Sequence, residues 1–167
     1  TDELILETEP NDSPATATKI TVPCEVAGQF YPAADRDNVQ FDAKQGDVFY
    51  IEVLAHRLGY GSDPTLTIER VTKNEQGAEV VSNVAQVDDP QDRNNRIGSD
   101  FDTSTDDPSY RLEVKEDGVY RVLVRDNFGE SRTDPRMVYR LCIRRAQPDF
   151  RVVAYLDPPS PQNNNNQ

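Results

Sequence analysis

Apolar and polar residues alternate with a period of two along most of the chain. The alternation is clearest at Val48–Leu54, where Phe49, Ile51 and Val53 share one face and the residues between them share the other. Similar segments occur at 24–30, 38–43, 65–71, 79–87, 110–114, 120–125 and 139–143, with a further edge strand expected at 149–153. No segment has a sustained helical period. The pattern predicts an all-β protein, an antiparallel β-sandwich or jelly roll of eight or nine strands.

Short polar turns separate these predicted strands. The sequences at 45–47 and 116–118 each contain Asp and Gly and are typical of β-hairpins, and another polar turn is predicted at 74–77. Ser13 and Pro14 provide a cap and a first-turn proline, so we expect one helical turn there. A long acidic loop is predicted from 88 to 108, interrupted at most by a short strand at 97–101.

The 167 residues fit one domain with short extensions. We divide the chain into an acidic N-terminal segment packed on the sandwich (1–18), the sandwich itself (19–147), and an edge strand with a Pro/Asn-rich linker (148–167). No charged stretch followed by an apolar one opens the chain, which indicates a removed signal peptide or a module excised from a longer protein. We therefore expect an extracellular, periplasmic or cell-surface location, and other domains of the parent protein as partners.

The net charge of the chain argues against anionic partners. Thirty acidic residues against eighteen basic ones give a formal net charge of -12. Nucleic acids and anionic lipid surfaces should be repelled by such a protein, whereas cations should be attracted. No apolar run approaches the roughly 20 residues needed to span a bilayer. We expect neither nucleic-acid binding nor membrane insertion.

Two acidic stretches are candidates for a cation site. The first has four oxygen-bearing side chains within six residues: Glu7, Glu9, Asn11 and Asp12. The second, Asp35 and Asp37, lies between two predicted strands. If the fold brings them together, their oxygens suit the loose coordination of Ca²⁺ better than octahedral Mg²⁺, and a single histidine argues against zinc. From the residues alone, an ordinary capping turn with solvated glutamates remains an equal alternative.

Several motifs occur in an order typical of one known family. They lie at 7–13, 26–28, 35–37, 46–47, 63–64, 88–89, 117–120 and 139–141. Over 7–145 they resemble the bacterial pre-peptidase C-terminal (PPC) domain, a β-sandwich accessory domain of secreted proteases that is similar to the collagen-binding domains of clostridial collagenases. The resemblance implies Ca²⁺ held between the acidic segment and an acidic loop. Carried over to this chain, the implied ligands are Glu7, Glu9, Asn11, Asp12, Asp35 and Asp37.

A surface for a larger ligand is suggested by exposed aromatic and arginine side chains, the usual anchors of interfaces. The candidates are Arg57 and Tyr60 in a glycine-rich loop, joined by Tyr31. The alternative is that both tyrosines cover edges of the core. Arginines also form outward stripes on the last two clear strands, where we expect them to pair with acids on a solvated face: Arg121, Arg125, Arg140, Arg144 and Arg145. Such a strip could also hold an acidic polysaccharide.

No arrangement of residues predicts catalysis. His56 is the only histidine, and no serine lies in a nucleophile-elbow context around which a triad could form. Asp102 begins an Asp-Thr-Ser sequence, but aspartic protease chemistry needs two such loops. For the two cysteines, strand phase places Cys24 inward and Cys142 outward, which favours two thiols over a disulfide.

The sequence thus predicts a non-catalytic, Ca²⁺-stabilised accessory module of a larger secreted bacterial protein, binding extracellular polysaccharide or matrix protein. The alternative is a structural or processing segment that acts in cis on the folding, export or spacing of its parent.

Overall fold

The computed structural model describes residues 3–89, 105–131 and 134–148. Within these ranges ten strands form two five-stranded sheets packed as a sandwich, with two short 3-10 turns at Pro14–Thr16 and His56–Leu58. The strands are β1 (Glu3–Leu6), β2 (Thr18–Lys19), β3 (Cys24–Gln29), β4 (Asp37–Ala43), β5 (Val48–Leu54), β6 (Pro64–Lys73), β7 (Glu79–Val87), β8 (Ser109–Glu113), β9 (Gly118–Asp126) and β10 (Val138–Arg145). The first sheet has the order β1-β3-β10-β5-β8, and the second β2-β4-β9-β6-β7.

The predicted all-β sandwich is confirmed, and its core follows from the alternation. Inward residues of the first sheet, such as Ile51 and Leu141, meet those of the second, such as Ile68 and Val122, and all are nearly inaccessible to solvent. Since each fully buried aliphatic side chain contributes about 1.5–3 kcal/mol, this shared interior is the main source of stability. Among the described residues there is no helix long and apolar enough to cross a membrane.

The structure has ten strands rather than eight or nine because two short edge strands were not predicted. β1 pairs in parallel with β3 in the first sheet, and β2 pairs in parallel with β4 in the second. With four and two residues, mostly exposed or half-exposed, they are too short for an alternation to reveal them. The strands expected at 97–101 and 149–153, and the linker after them, lie outside the described residues.

The prediction of β-hairpins at 45–47 and 116–118 was wrong. Both turns are tight, but each joins a strand of one sheet to a strand of the other: β4 to β5, and β8 to β9. The two turns bond to each other instead, since Gly46 N donates to Val114 O (2.9 Å) and Gln45 N donates to the Asp117 carboxylate (2.7 Å). The polar turn at 74–77 does form a hairpin, between β6 and β7.

Two members of the predicted arginine stripes differ from the prediction: Arg145 lies on the core-facing side at the end of β10, over the ring of Phe49, and Arg121 is on the outer face but is not solvated. Its side chain is only 2% exposed and pairs with Glu69 (3.0 Å) of the adjacent β6 and with Glu79 (3.3 Å) of β7, the next strand beyond it. These long side chains cover it, so the guanidinium loses water but keeps two carboxylate partners. On the first sheet, Arg140 and Arg144 both pair with Glu25, at 3.1 and 2.8 Å, as expected.

The two cysteines lie on opposite faces of the first sheet and do not form a disulfide. Cys24 faces the core opposite Ile143, whereas Cys142 lies opposite Glu25 on the outer face. Both are buried, and burial raises the pKa of the Cys142 thiol to about 11.

We therefore expect two reactive thiols per chain in denaturant without any reductant, and very slow reaction of the folded protein. The reason is that thiolate is the reactive species and neither sulfur is accessible in the folded state. Mass spectrometry after alkylation checks this. A denatured, unreduced chain that takes up no label would contradict the described arrangement.

Candidate metal site

Two loops that cross between the sheets meet at one end of the sandwich. Residues 7–17 of the N-terminal segment connect β1 to β2, and residues 30–36 connect β3 to β4. Both loops therefore pass from the first sheet to the second. Because β1 runs parallel to β3 and β2 runs parallel to β4, the two crossings lie side by side. This topology brings together the two acidic stretches that are 20 residues or more apart in sequence.

Four carboxylates converge where the loops meet, and we call them the acidic cluster: Glu7, Glu9, Asp35 and Asp37. Each offers one oxygen, and these oxygens all lie within 4.8 Å of one another. Glu9 is exposed and Glu7 is half-buried, whereas Asp35 and Asp37 are buried. The cluster therefore opens to solvent on the side of the N-terminal segment and is closed below by the start of β4.

Glu7 is held by the first sheet. Its Oε2 accepts hydrogen bonds from Gln29 N (3.1 Å) and from the Tyr139 hydroxyl (3.1 Å). A Cβ atom on Gly28 would lie 1.8 Å from this oxygen and 2.5 Å from the Tyr139 ring. The glycine thus provides the space in which the carboxylate meets the tyrosine. The sequence pattern gives Tyr139 no role, although an isolated glycine within a strand signals a close approach of this kind.

Asp35 is held by its own loop. Its two oxygens accept hydrogen bonds from Tyr31 N (2.7 Å) and Arg36 N (2.9 Å). On the other loop, Glu9 accepts a hydrogen bond from Asn11 N (2.7 Å). Local backbone amides therefore fix these two carboxylates in place before any ligand arrives.

Within the described ranges, the buried oxygens at Asp37 and Asn11 make no hydrogen bond of normal geometry, although the Tyr139 and Asn11 side chains lie near enough to Asp37 to offset part of the rise in its pKa. Both carboxylate oxygens of Asp37, which is 1% exposed, and the side-chain oxygen of Asn11 have no hydrogen-bond partner among the described residues. The backbone of Asn11 is bonded, because Asn38 donates to its carbonyl through both N (3.2 Å) and Nδ2 (3.0 Å). Buried polar groups without partners are costly. A cation would satisfy all three oxygens.

Asp12 and Ser13, at the end of the first acidic stretch, lie outside the acidic cluster. Asp12 is exposed and is not one of the four convergent carboxylates, although its charge contributes to raising the pKa of Asp35. Ser13 occupies the cap position of the turn at Pro14–Thr16, where its backbone N–H donates to the Thr16 hydroxyl (3.2 Å) and its own hydroxyl lies 2.8 Å from that hydroxyl. Capping and convergence of the carboxylates therefore coexist in the segment.

The electrostatics of the cluster favour a positive ligand. Burial, followed by the charges of Glu7 and Asp35, raises the pKa of Asp37 to about 9. Burial also raises the pKa of Glu7 to about 7 and that of Asp35 to about 6. Without a cation, these groups retain protons at pH values where free carboxyls are ionised. The donor set of carboxylate and amide oxygens fits a hard cation such as Ca²⁺.

The three residues predicted to bind a larger ligand are not equivalent. Tyr31 and Tyr60 are 41% and 38% exposed and lie in different loops. Arg57 instead pairs with Asp107 (2.7 Å) and Glu52 (2.8 Å). Asp107 is fully buried and also accepts hydrogen bonds from the three successive backbone amides at 55–57, so this pair stabilises the loop after β5. His56 lies in the same loop and is exposed.

No family model and no curated protein sequence matches the chain. Among solved structures, it is similar to the pre-peptidase C-terminal domain of collagenase from Bacillus anthracis. The TM-score is 0.50 and the identity 15%, over 83% of this chain and all of that one. The chain has the fold of a PPC domain. A periplasmic inhibitor of g-type lysozyme, PliG from Aeromonas hydrophila, is also similar, with a TM-score of 0.45 and 11% identity over 86% of this chain and all of that one. The resemblance of the motifs to PPC domains is thus matched by the fold, and both acidic loops belong to this PPC-type sandwich.

Proposed function

We propose that the protein is a non-catalytic accessory module in which Ca²⁺ links the N-terminal segment to the loop between β3 and β4. The observation that supports this is the acidic cluster: four carboxylate oxygens within 4.8 Å, beside buried oxygens of Asp37 and Asn11 that have no donor. Glu7, Glu9, Asp35 and Asp37 would bind the ion, with the Asn11 amide oxygen completing a set of hard ligands.

The cation would act mechanically. Four carboxylates this close repel one another, and a divalent ion removes the repulsion and satisfies the buried oxygens at the same time. The N-terminal segment is attached to the sheets by the short β1 and β2 and by a few hydrogen bonds at Glu7 and Asn11, and the ion would add a further connection to the sandwich. In a longer protein, this would set the direction in which the preceding chain leaves the module.

We expect the module to be extracellular or periplasmic and to help its parent bind polysaccharide or protein. Support for the location comes from the fold, which is shared with a domain of a collagenase, and from millimolar extracellular calcium, which suits weak sites of accessory modules. For binding, support comes from Tyr31 and Tyr60, which are exposed in loops at the same end of the sandwich as the acidic cluster.

The calcium hypothesis predicts a higher melting temperature with Ca²⁺ than with a chelator. Ca²⁺ at about ten to a hundred times its Kd adds about 1 to 3 kcal/mol to the free energy of unfolding, and each kcal/mol corresponds to about 2–4 °C in a domain of this size. Differential scanning calorimetry measures the shift, with Mg²⁺ at equal ionic strength as the control. Identical melting curves in Ca²⁺ and in excess chelator would refute it.

Binding of a polysaccharide or protein through the exposed tyrosines can be tested separately from calcium binding. Pull-downs against polysaccharides and matrix proteins would compare the protein with Tyr60→Ala, and with Tyr50→Ala as a control of similar exposure on the outer face of β5. Weaker capture of the Tyr60 variant alone would support a binding loop. No capture of any ligand, together with better secretion of a parent that retains the module, would instead indicate a structural role in cis.

A further inference from the structure

A second group of carboxylates lies at the same end of the sandwich, and we call it the second acidic group: Asp63, Asp88 and Asp89. Each offers an oxygen within 4.8 Å of the others. Asp63 directly precedes β6 and the other two directly follow β7, and the antiparallel pairing of these strands places the three side by side. In the sequence, 63–64 and 88–89 stand out only as motifs without a predicted role.

This group is separate from the acidic cluster. In the second sheet, β9 lies between β4, which begins with Asp37, and β6, which follows Asp63. With adjacent strands about 4.8 Å apart, the two groups are on the order of 10 Å or more from each other. One ion cannot bind both.

Buried oxygens next to the group point independently to a cation. Asp126, at the end of β9, is only 7% exposed, and its Oδ1 accepts a hydrogen bond from Asp63 N (2.8 Å). Its carboxylate therefore lies directly against the residue that begins the group. The other oxygen of Asp126, one oxygen of Asp63 and the Ser62 hydroxyl are all buried with no hydrogen-bond partner among the described residues.

Neutral hydrogen-bond donors hold part of the second acidic group in place. Asn127 donates through its side chain to Asp88 (2.8 Å) and through its backbone to Asp63 O (2.8 Å). In the part of the chain that the structure describes, no arginine or lysine pairs with Asp63, Asp88 or Asp126. Burial, with the charges of Asp88, Asp106 and Asp126, also raises the pKa of Asp63. Asp63 and Asp88 are therefore held in place by neutral donors.

We propose that Asp63, Asp88 and Asp89, supported by the buried Asp126, form a second binding site for a hard divalent cation of the Ca²⁺ class. The ion would tie the start of β6 to the residues that follow β7 and thereby fix the position of Asp88 and Asp89. Carboxylate oxygens from two chain segments and a buried carboxylate behind them provide the charge and the hard donors that such an ion needs.

Calcium titration of the metal-free protein, followed by amide resonances in NMR at constant ionic strength, tests the two sites separately. The amides of Asp63 and Asn127 report on the second site, and those of Asn11 and Asn38 on the acidic cluster. We expect the Asp63 and Asn127 resonances to shift saturably below about 10 mM Ca²⁺, since accessory extracellular sites bind at about 10⁻⁴–10⁻³ M.

The variant Asp88→Asn removes one exposed ligand charge with little risk to folding. It should weaken the response of Asp63 and Asn127 at least tenfold and leave the Asn11 and Asn38 response unchanged. The matched control is Glu75→Gln, which removes an equal charge from the exposed turn at the opposite end of the same hairpin. No saturable shift of Asp63 and Asn127, or an unchanged shift in Asp88→Asn, would overturn the proposal. Failure of the acidic cluster alone would appear only at Asn11 and Asn38.

Discussion

Replacing Asp37 with asparagine is expected to stabilise the metal-free protein at about pH 7 and, at the same time, to abolish most of its stabilisation by Ca²⁺. Substitution of a metal ligand usually weakens a protein only when the metal is present. Here the two effects should have opposite signs, because the buried carboxylate is unfavourable without the ion and essential with it.

The metal-free gain follows from the surroundings of Asp37. Burial and the charges of Glu7 and Asp35 raise its pKa to about 9, so the folded state holds a proton at neutral pH that the unfolded chain releases. Asparagine has nearly the same shape and needs no proton to be neutral. Its amide group can donate to the neighbouring Glu7 carboxylate, whereas neither oxygen of Asp37 has a hydrogen-bond partner among the described residues.

Calorimetric melting in chelator and in Ca²⁺ measures both effects. Isothermal titration gives the loss of affinity, which we expect to be at least about tenfold, since even changes outside a coordination shell cost about 10- to 100-fold. The control is Asp42→Asn, which changes an exposed carboxylate on the same strand. A metal-free Asp37→Asn protein that melts below the wild type, or one that retains the full Ca²⁺ shift, would show that Asp37 is not part of a cation site.

The sequence was sufficient for the all-β class and for the long strands, and its acidic stretches contained all four residues of the acidic cluster together with Asp12, which lies outside it. Alternation identified every long strand in the described ranges, because a sheet buried on one face imposes period two on its residues. Charge density at Glu7, Glu9, Asp35 and Asp37 singled out the residues that converge. Charge density could not show that the four carboxylates lie close together. Their proximity depends on β1 and β2, which are too short to produce a recognisable alternation.

Connectivity was less predictable because a turn motif encodes only local geometry. Gly46 adopts a positive φ of 90°, as a tight turn requires, yet the strand that follows enters the other sheet. Which sheet a strand joins is decided by distant partners, such as β10 for β5. The supporting roles of Tyr139 and Asp126 were hidden for the same reason, since each reaches its carboxylate partner only after its strand has been placed in a sheet.

The pH dependence of stability should separate the metal-free from the calcium-bound protein. For Glu7, Asp35 and Asp37 the folded-state pKa is raised, to about 7, 6 and 9 respectively. A carboxyl with a raised pKa favours the folded state fully below its unfolded value near 4, and this contribution is lost as pH rises through the folded value. The metal-free protein should therefore lose stability steadily between about pH 5 and pH 9.

We expect the melting temperature in chelator to fall by on the order of 5 °C or more across this range, since one pKa unit corresponds to about 1.4 kcal/mol and each kcal/mol to about 2–4 °C. Glu113 and Asp134, whose pKa values are lowered to about 2 by adjacent basic side chains, titrate below the window and do not obscure it.

With saturating Ca²⁺ the slope should flatten or reverse, because the ion binds the ionised carboxylates and competes with protons for them. The Asp37→Asn variant separates this local effect from the general repulsion of a chain with net charge -12. If general repulsion caused the pH dependence, the slope of melting temperature against pH in the variant would equal that of the wild type. If protons in the acidic cluster cause it, the slope in the variant is shallower. Equal slopes in chelator would mean that Asp37 is already ionised in the metal-free protein and that burial does not raise its pKa.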